Sequence, residues 1–593
     1  MRNLLQDADR DRLVAPLALM ATEIALAGQS FRALPEAEGS AFFPVVATAT
    51  AAELLMLPGL RDAHAPLSDS LLDAVMALAR APGGMRAVGG AAELLRDDPA
   101  DLLIRTPHHR FTGDLRAGVL RQEPPGGGRP ALRHTGNLVE FRIGRRPACV
   151  DVEDNITEAS VTREDGRIVL THAGTIRGLA GLFTAREVEA GRIAYRYEID
   201  PLSPLLRVEI RFTAARALSR LRVTTALDAV AEDGPGGTAA RMMEAGAWRD
   251  AAPPAAPGAE RWARGMPVAH LAIGAAGWPD GAPAVHIRPH DPARVLSVTA
   301  QAMRGGELHW LILRNGPVDL AAGQTLVVRE DRLLTPGQVE TVAAMMEAGL
   351  PPGLVPDPRP DPGAGLRAVA AALLFDAGGA WAEPLPAPRR ATLLAFAEDQ
   401  LALLSALGGV AELASALLGA DSLRRARRPG EDALPALALR LARALEAEPA
   451  DLGARALGIL ALARAATWTD AAAAARALPG LLDGIGASAP GTAPALMLEG
   501  ARVDPLAEAE GVARIARAAG AVVLAADAGV PMAPLAVAKA REVHRIAVAL
   551  LRPLVRPRDG RLEVHGPLGL APGLQALLTL GFMAPERLVF TRA

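Results

Sequence analysis

Residues 195–230 read YRYEIDPLSPLLRVEIRFTAARALSRLRVTTALDAV. The period in this stretch is two. Leu206, Val208, Ile210 and Phe212 fall on one face, and Arg207, Glu209 and Arg211 fall on the other. Ile193, Tyr195, Tyr197 and Ile199 alternate in the same way just before, and Leu221, Val223, Thr225 and Leu227 just after. Successive side chains of a strand point to opposite sides. Strict alternation therefore marks sheets with one face in a core and one in water, the habit of antiparallel sheets. "GELHWLILRN" (306–315) and "TLVVREDRLL" (325–334) repeat the pattern. Roughly a dozen such strands joined by short turns predict a large antiparallel β-sandwich over residues 113–354. Within it, the Gly-, Pro- and Ala-rich stretch 231–265 predicts a long loop carrying Trp248 and Trp262.

The flanks have a different period. Residues 1–112 predict a helical region. "PLSDSLLDAVMALARAPGG" (66–84) has a capping Ser or Asp, apolar residues at helical spacing and a Pro-Gly-Gly stop. "EPPGGGRP" (123–130) is a turn-rich connector. "VPDPRPDPGAG" (355–365) predicts a linker, because its prolines continue neither a strand nor a helix. Residues 366–593 then predict an all-α domain. "DLGARALGILALARAATWTDAAAAARALPGLLDGI" (451–485) predicts a helix, a short turn and a second helix capped by Asp470. Near the end, "GRLEVHGPLG" and "RLVFTRA" predict short strands. The expected class is α+β and multidomain: N-terminal helices, a sandwich, and a C-terminal helical domain.

Composition excludes several functions. The net charge of the 593 residues is -3, without the basic excess of a nucleic-acid-binding protein. Lys539, in "PLAVAKAREV", is the one lysine and follows no Gly-rich loop. P-loop, kinase and pyridoxal-phosphate chemistry, which need a placed lysine, are set aside. The lone Cys149 allows no intramolecular disulfide and no CxxC pair. Asp7, Asp9, Asp11 and Glu23 make the start a poor signal peptide, and no run of about 20 uninterrupted apolar residues follows. The expectation is a cytoplasmic protein without a membrane span, a cofactor or a metal. "HIRPHD" offers His286, His290 and Asp291, but residues four apart on a strand lie about 13 Å apart.

Two passages carry a family resemblance. The hairpin at 451–485 resembles the paired helices of α/α toroids. The strands at 195–230, with a Pro-containing turn followed by a long "L.V.I.F" strand, resemble a β-supersandwich of the galactose-mutarotase-like type. The combination is similar to heparinase II/III-like polysaccharide lyases and to related glycoside hydrolases. In those lyases the toroid precedes the sandwich, whereas here the larger helical part follows it. The 3% aromatic content is also poor for stacking along a long glycan. The resemblance implies a carbohydrate-active or glycan-binding protein.

A lyase of that kind would need a cation or amide for a uronate carboxylate and a Tyr or His base. The candidates are His108 with its neighbour His109, the group Arg133, His134 and Asn137, and the phenol of Tyr197. The plainer reading is a polar turn beside a strand, with Tyr195 and Tyr197 in the core. A glycosidase would need two converging carboxyls. Glu398 and Asp399 are adjacent on a helix and point about 100° apart. Asp376, Glu499 and Asp504 are as simply read as caps or solvated charges. Scarce aromatics and no clear acid/base pair favour the alternative of a non-catalytic scaffold or accessory protein of a polysaccharide or cell-envelope pathway. Its protein partners would sit on the C-terminal helices.

Overall fold

The computed structural model describes residues 9–590 except 27–28, 81–84, 126–130, 135–136, 182–183, 231–237, 252–257, 265–266, 276–282, 304–307, 337, 351–352, 358–359, 427–432, 448–449, 489–492 and 567–568. Mixed α+β architecture is what it shows, in two units. Residues 88–359 form one, and residues 1–87 with 360–593 form the other.

The first unit is a pair of antiparallel sheets. In chain order its strands are β1 (Glu93–Asp98), β2 (Asp101–Arg105), β3 (Arg110–Asp114), β4 (Val119–Glu123), β5 (Ala131–His134), β6 (Leu138–Ile143), β7 (Arg146–Asp151), β8 (Ile156–Glu164), β9 (Arg167–Ala180) and β10 (Arg186–Ile199). There follow β11 (Leu205–Ala214), β12 (Leu218–Val230), β13 (Thr238–Glu244), β14 (Ala247–Ala251), β15 (Gly258–Arg264), β16 (Val268–Ala275), β17 (Pro283–Pro289), β18 (Val295–Met303), β19 (Leu308–Leu320) and β20 (Thr325–Pro336). One sheet runs β15-β18-β19-β12-β5-β4-β3-β2-β1, with β6 on β12 and β7 on β6. The other runs β8-β9-β10-β11-β20-β17-β16-β13-β14.

The predicted alternation sets the inner face. Tyr195, Tyr197, Val208, Ile210, Phe212, Leu221 and Val223 are all at most 2% exposed and share one apolar cluster. A second cluster holds Leu227, Leu271, Val285, Val298, Leu313 and Leu334. Burying a side chain of this size stabilises by about 1.5–3 kcal/mol, which is why the pattern holds its register.

Sheet begins earlier than the composition predicts. Thr22–Leu26 and Gln29–Ala33 form a hairpin, and β1 to β3 all precede residue 115. The 231–265 stretch is also not one loop. β13 and β14 form a hairpin there, and β15 follows, while 231–237, 252–257 and 265 lie outside the described residues. Its Ala and Gly are poor strand formers, but the ladder to β16 supplies the order that local propensity lacks.

In the second unit six helices pack in a closed cycle. They are α1 (Val45–Leu55), α2 (Ala364–Ala377), α3 (Val410–Ala426), α4 (Leu452–Ala465), α5 (Ala509–Asp527) and α6 (Pro572–Met583). Each packs on the next, and α6 packs on α1. Outside them lie Ala65–Ala79 on α1 and α2, Ala387–Leu407 on α2 and α3, Leu434–Ala447 on α3 and α4, Pro534–Leu551 on α5, and Asp9–Met20 on α6. Small residues let the inner helices approach. A Cβ added at Gly419 of α3 would sit 2.7 Å from Leu366 Cδ2 of α2. The N-terminal helices, expected as a region of their own, thus close a ring whose other members come after the sandwich.

Local details differ from the sequence reading in three places. Asp451, not Asp470, caps a helix: its carboxylate accepts from the Ala454 amide at 2.7 Å. The expected second helix of that hairpin is split into a 3-10 segment, Thr469–Arg476, and a short helix, Leu478–Asp483. "RLVFTRA" contributes to a helix, Glu586–Phe590, because Glu586 turns inward to Arg517. Arg561–Gly566 is a strand as predicted. The 355–365 stretch is anchored at Asp361, which accepts two hydrogen bonds from Arg367, at 3.0 and 2.6 Å. No helix among the described residues is long and apolar enough to cross a membrane.

Candidate functional site

The inner face of the sandwich carries a polar seam between its two apolar clusters. On β20, Leu326, Val328, Glu330, Arg332 and Leu334 share one phase of the alternation, and all five are buried. Glu330 and Arg332 are each 2% exposed. Arg332 Nε donates to Glu330 Oε1 at 2.9 Å, and its terminal nitrogens bond Glu330 and His134 Nδ1. The Thr225 hydroxyl of β12 donates to the other Glu330 oxygen at 3.3 Å. The pair is thus neutral overall and bridges both sheets, as a buried charge requires.

This geometry assigns protons. Arg332 can only donate, so His134 accepts at Nδ1 and carries its hydrogen on Nε2, which has no partner among the described residues. Burial first, and then Arg332, hold the His134 pKa well below the ordinary imidazole range. His172 Nε2 lies 3.3 Å from the Tyr197 hydroxyl and stacks on Tyr195 at 4.6 Å. Burial lowers His172 to about 4 and pushes both phenols up. His109 donates from Nε2 to the Leu334 carbonyl at 3.0 Å, so its Nδ1 accepts from Gln122 at 3.3 Å. Its pKa falls to about 4, again through burial. Every imidazole of the seam is neutral at pH 7.

Of the five residues singled out for catalysis, His134 and Tyr197 meet, with ring centroids 6.1 Å apart. Each is only 1% exposed, so a polymer substrate does not reach either one. Asn137 accepts from the Ala226 amide at 3.2 Å, a purely structural bond. Arg133 precedes His134 on β5 and is exposed, so it points to the opposite face. His108 lies in the turn before β3, its amide donating to Thr106 Oγ1 at 3.2 Å. The expected convergence of Arg133, His134 and Asn137 is not formed, because consecutive strand residues face apart. Glu330 and Arg332 were missed. Their phase with Leu326 and Val328 in "LVVREDRLL" was the signal.

A second polar group lies on the outer face of the other sheet. Across it, Trp248 of β14 opposes Met243 of β13, and Met243 opposes His270 of β16. Leu271 pairs with Ile287, which brings Arg288 of β17 beside His270, and Arg288 opposes Asp331 of β20. Trp248, His270, Arg288 and Asp331 therefore form a row perpendicular to the strands. The partly buried Trp248 indole sits edge-on to His270 at 5.6 Å, with Arg241 over its face at 5.6 Å. Arg241 is held by Asp250 at 2.6 Å and by Glu340 of the helix Val339–Ala348. His270 Nε2 shares a hydrogen bond with His286 Nδ1 at 3.0 Å. Burial, and then Arg288, lower His270 to about 4; burial and His270 lower His286 further. Asp331 Oδ2 takes a hydrogen bond from His290 at 2.9 Å, while Asp331 Oδ1 and His286 Nε2 have no partner among the described residues.

His286 and His290 are thus engaged separately, and among the described residues no His, Cys, Asp and Glu group is arranged to hold a metal. The proposed carboxyl pairs also separate. Asp376 accepts from the Leu385 amide and pairs with Arg390, Glu499 pairs with Arg455, and Asp504 caps Leu506. Glu398 and Asp399 are both exposed.

No protein-family model matches the chain. No curated protein matches it either. Among solved structures it is similar to an α-N-acetylgalactosaminidase from Bifidobacterium bifidum, with TM-score 0.30 and 12% identity over 42% of this chain and 39% of that one. It is similar to an α-mannosidase from Enterococcus faecalis, with TM-score 0.29 and 10% identity over 44% of this chain and 32% of that one. A galactose mutarotase related enzyme from Lactobacillus acidophilus gives TM-score 0.26 and 8% identity over 44% of this chain and 97% of that one. The chain thus spans well under half the length of the first two. All three are carbohydrate-active proteins by name and none is a heparinase-like lyase, and at these values the likeness carries no argument about a site.

Proposed function

We propose that this chain is a glycan-binding protein of the toroid-plus-supersandwich kind, holding sugar on the outer face of the sheet around Trp248 without cutting it. One observation carries the reading. A partly exposed indole stands in one cross-strand row with the partly exposed Arg288, over the buried His270 and Asp331 that hold the row, so an apolar platform adjoins a guanidinium that can donate hydrogen bonds. A sugar ring needs both: C–H faces stack on an aromatic ring, and hydroxyls need polar partners. A ring of six helices and two large antiparallel sheets are the kinds of element that the resemblance to toroid and supersandwich proteins implies, in a chain order that differs from that of the lyases. The burial of His134 and Tyr197 is what argues against turnover through them.

The test is a panel of neutral and anionic oligosaccharides. Binding is read by tryptophan fluorescence and calorimetry; turnover is read by ultraviolet absorbance of unsaturated uronates and by reducing-end release. Saturable binding without product is expected, and Trp248→Ala should weaken it about tenfold, near 1.4 kcal/mol. Product formation lost in His134→Ala, or no binding by any glycan, overturns the reading.

A second reading, a scaffold, rests on the exposed leucines Leu403, Leu407 and Leu439 of two outer helices. Leu403 and Leu407 are one turn apart on a single face, as a protein contact would require.

A further inference from the structure

Along the axis of the helical ring lies a small cavity to which every ring helix contributes. Its volume is about 40 Å³, room for roughly three water molecules. Its floor is apolar, from Leu418, Leu457, Leu460 and Leu577. Its polar wall holds four arginines, Arg367 of α2, Arg464 of α4 and Arg514 and Arg517 of α5, with Thr50 and the carboxylate Glu53 of α1, which is paired to Arg517.

Guanidiniums so close together repel unless something neutralises them. Asp361 receives Arg367 at 2.6 Å and Arg514 at 3.4 Å. Asp421 receives Arg464 at 2.5 Å and also Arg425 at 2.9 Å. Arg517 takes Glu53 at 2.6 Å and Glu586 at 2.8 Å. In these pairs five guanidiniums (Arg367, Arg425, Arg464, Arg514, Arg517) meet four carboxylates (Asp361, Asp421, Glu53, Glu586). Arg425 does not line the cavity, so the four wall arginines meet four carboxylates, and the neutralisation is shared unevenly among them.

Geometry says which guanidinium is least neutralised. The Asp361 oxygen that meets Arg514 is already held by Arg367 at the shorter distance, so Arg514 has the weakest ion pair of the wall. Its side chain is 20% exposed, against 8% for Arg464 and Arg517, so it also stands nearest to solvent. A guanidinium offers five N–H donors in a planar fork that matches an oxyanion. Burial elsewhere on the wall keeps the local dielectric low and strengthens the attraction.

We propose that this cavity binds a single oxyanion group (phosphate, sulfate or carboxylate), with Arg514 as the principal ligand and Arg367 and Arg517 as the fixed wall behind it. The size admits one such group and excludes a sugar ring, so the anion is either free or the end of a larger molecule lying outside. This site does not depend on glycan binding at Trp248.

The experiment uses the full chain, titrated with inorganic phosphate, sulfate and acetate at constant ionic strength, with chloride as the reference. Heat of binding and thermal midpoint are both read. At least one oxyanion should bind saturably and raise the midpoint, and chloride should not. The order of phosphate, sulfate and acetate tells a tetrahedral group from a carboxylate. Arg514→Gln should weaken binding about tenfold or more, and Arg514→Lys, which keeps the charge but loses the fork, should fall between. Arg541→Gln, at a surface arginine 62% exposed, should change nothing. Circular dichroism checks that each variant is folded. Equal binding in Arg514→Gln and the parent chain, or an effect matched by chloride, overturns the proposal.

Discussion

At the scale of the residue, Arg332 and Glu330 form an ion pair buried in the sandwich. Each charge is removed from water beside two apolar clusters and is compensated by the other, with single hydrogen bonds to Thr225 and His134. Removing one partner strands the other, which costs about 3–5 kcal/mol, whereas replacing both by apolar groups is close to neutral. Arg332→Leu should therefore lower unfolding stability by that amount, and Glu330→Leu combined with Arg332→Leu should restore most of it. Urea denaturation checks this, and a double variant as unstable as the single one sinks the idea. The presence of both charges was readable in "VVREDRLL". Their pairing with His134 and Thr225 was not, since those residues lie 198 and 105 positions away.

At the scale of the element, the strands bury several imidazoles in neutral form. His172 of β9, His270 of β16 and His109 before β3 all titrate near 4 in the folded chain, against 6.5 when unfolded. The sign follows directly. Above pH 6.5 both states are neutral and nothing is lost; between 6.5 and 4 only the unfolded state gains protons. Stability should fall across that window, by up to about 1.4 kcal/mol per pH unit for each histidine. The urea midpoint should therefore drop between pH 7 and pH 5, and a midpoint flat over that range would contradict the buried neutral assignment. The strands themselves were legible, because period-two alternation is a property of neighbours in sequence. β13 to β15 were not, since their order comes from ladders to other strands and their own residues favour loops.

At the scale of the whole molecule, the ring depends on residues from both ends of the chain. α1 is the member that sits between α6 and α2. Without it the ring has two open faces where Ala52, Leu54 and Leu55, all fully buried, would otherwise pack. Residues 360–593 expressed alone should unfold without cooperativity, and adding residues 9–87 as a separate chain should restore a sharp transition in circular dichroism. Two-state unfolding of the shorter fragment by itself would show that closure is unnecessary. The helices at 65–79 and 452–465 were visible in their apolar spacing, though not in their caps. Their membership of one ring was not, because nothing local joins residue 55 to residue 364.

Sequence alone determined the long central strands with their buried faces, the main helices and the setting aside of lysine-dependent and disulfide chemistry, because these depend on residue type and near-neighbour spacing. Tertiary structure decided the ring closure, the burial of His134 and Tyr197, the row from Trp248 to Asp331 and the arginine cavity. Each of these brings together side chains from distant positions, and only packing, which acts through space, selects among the many pairings that a linear pattern allows.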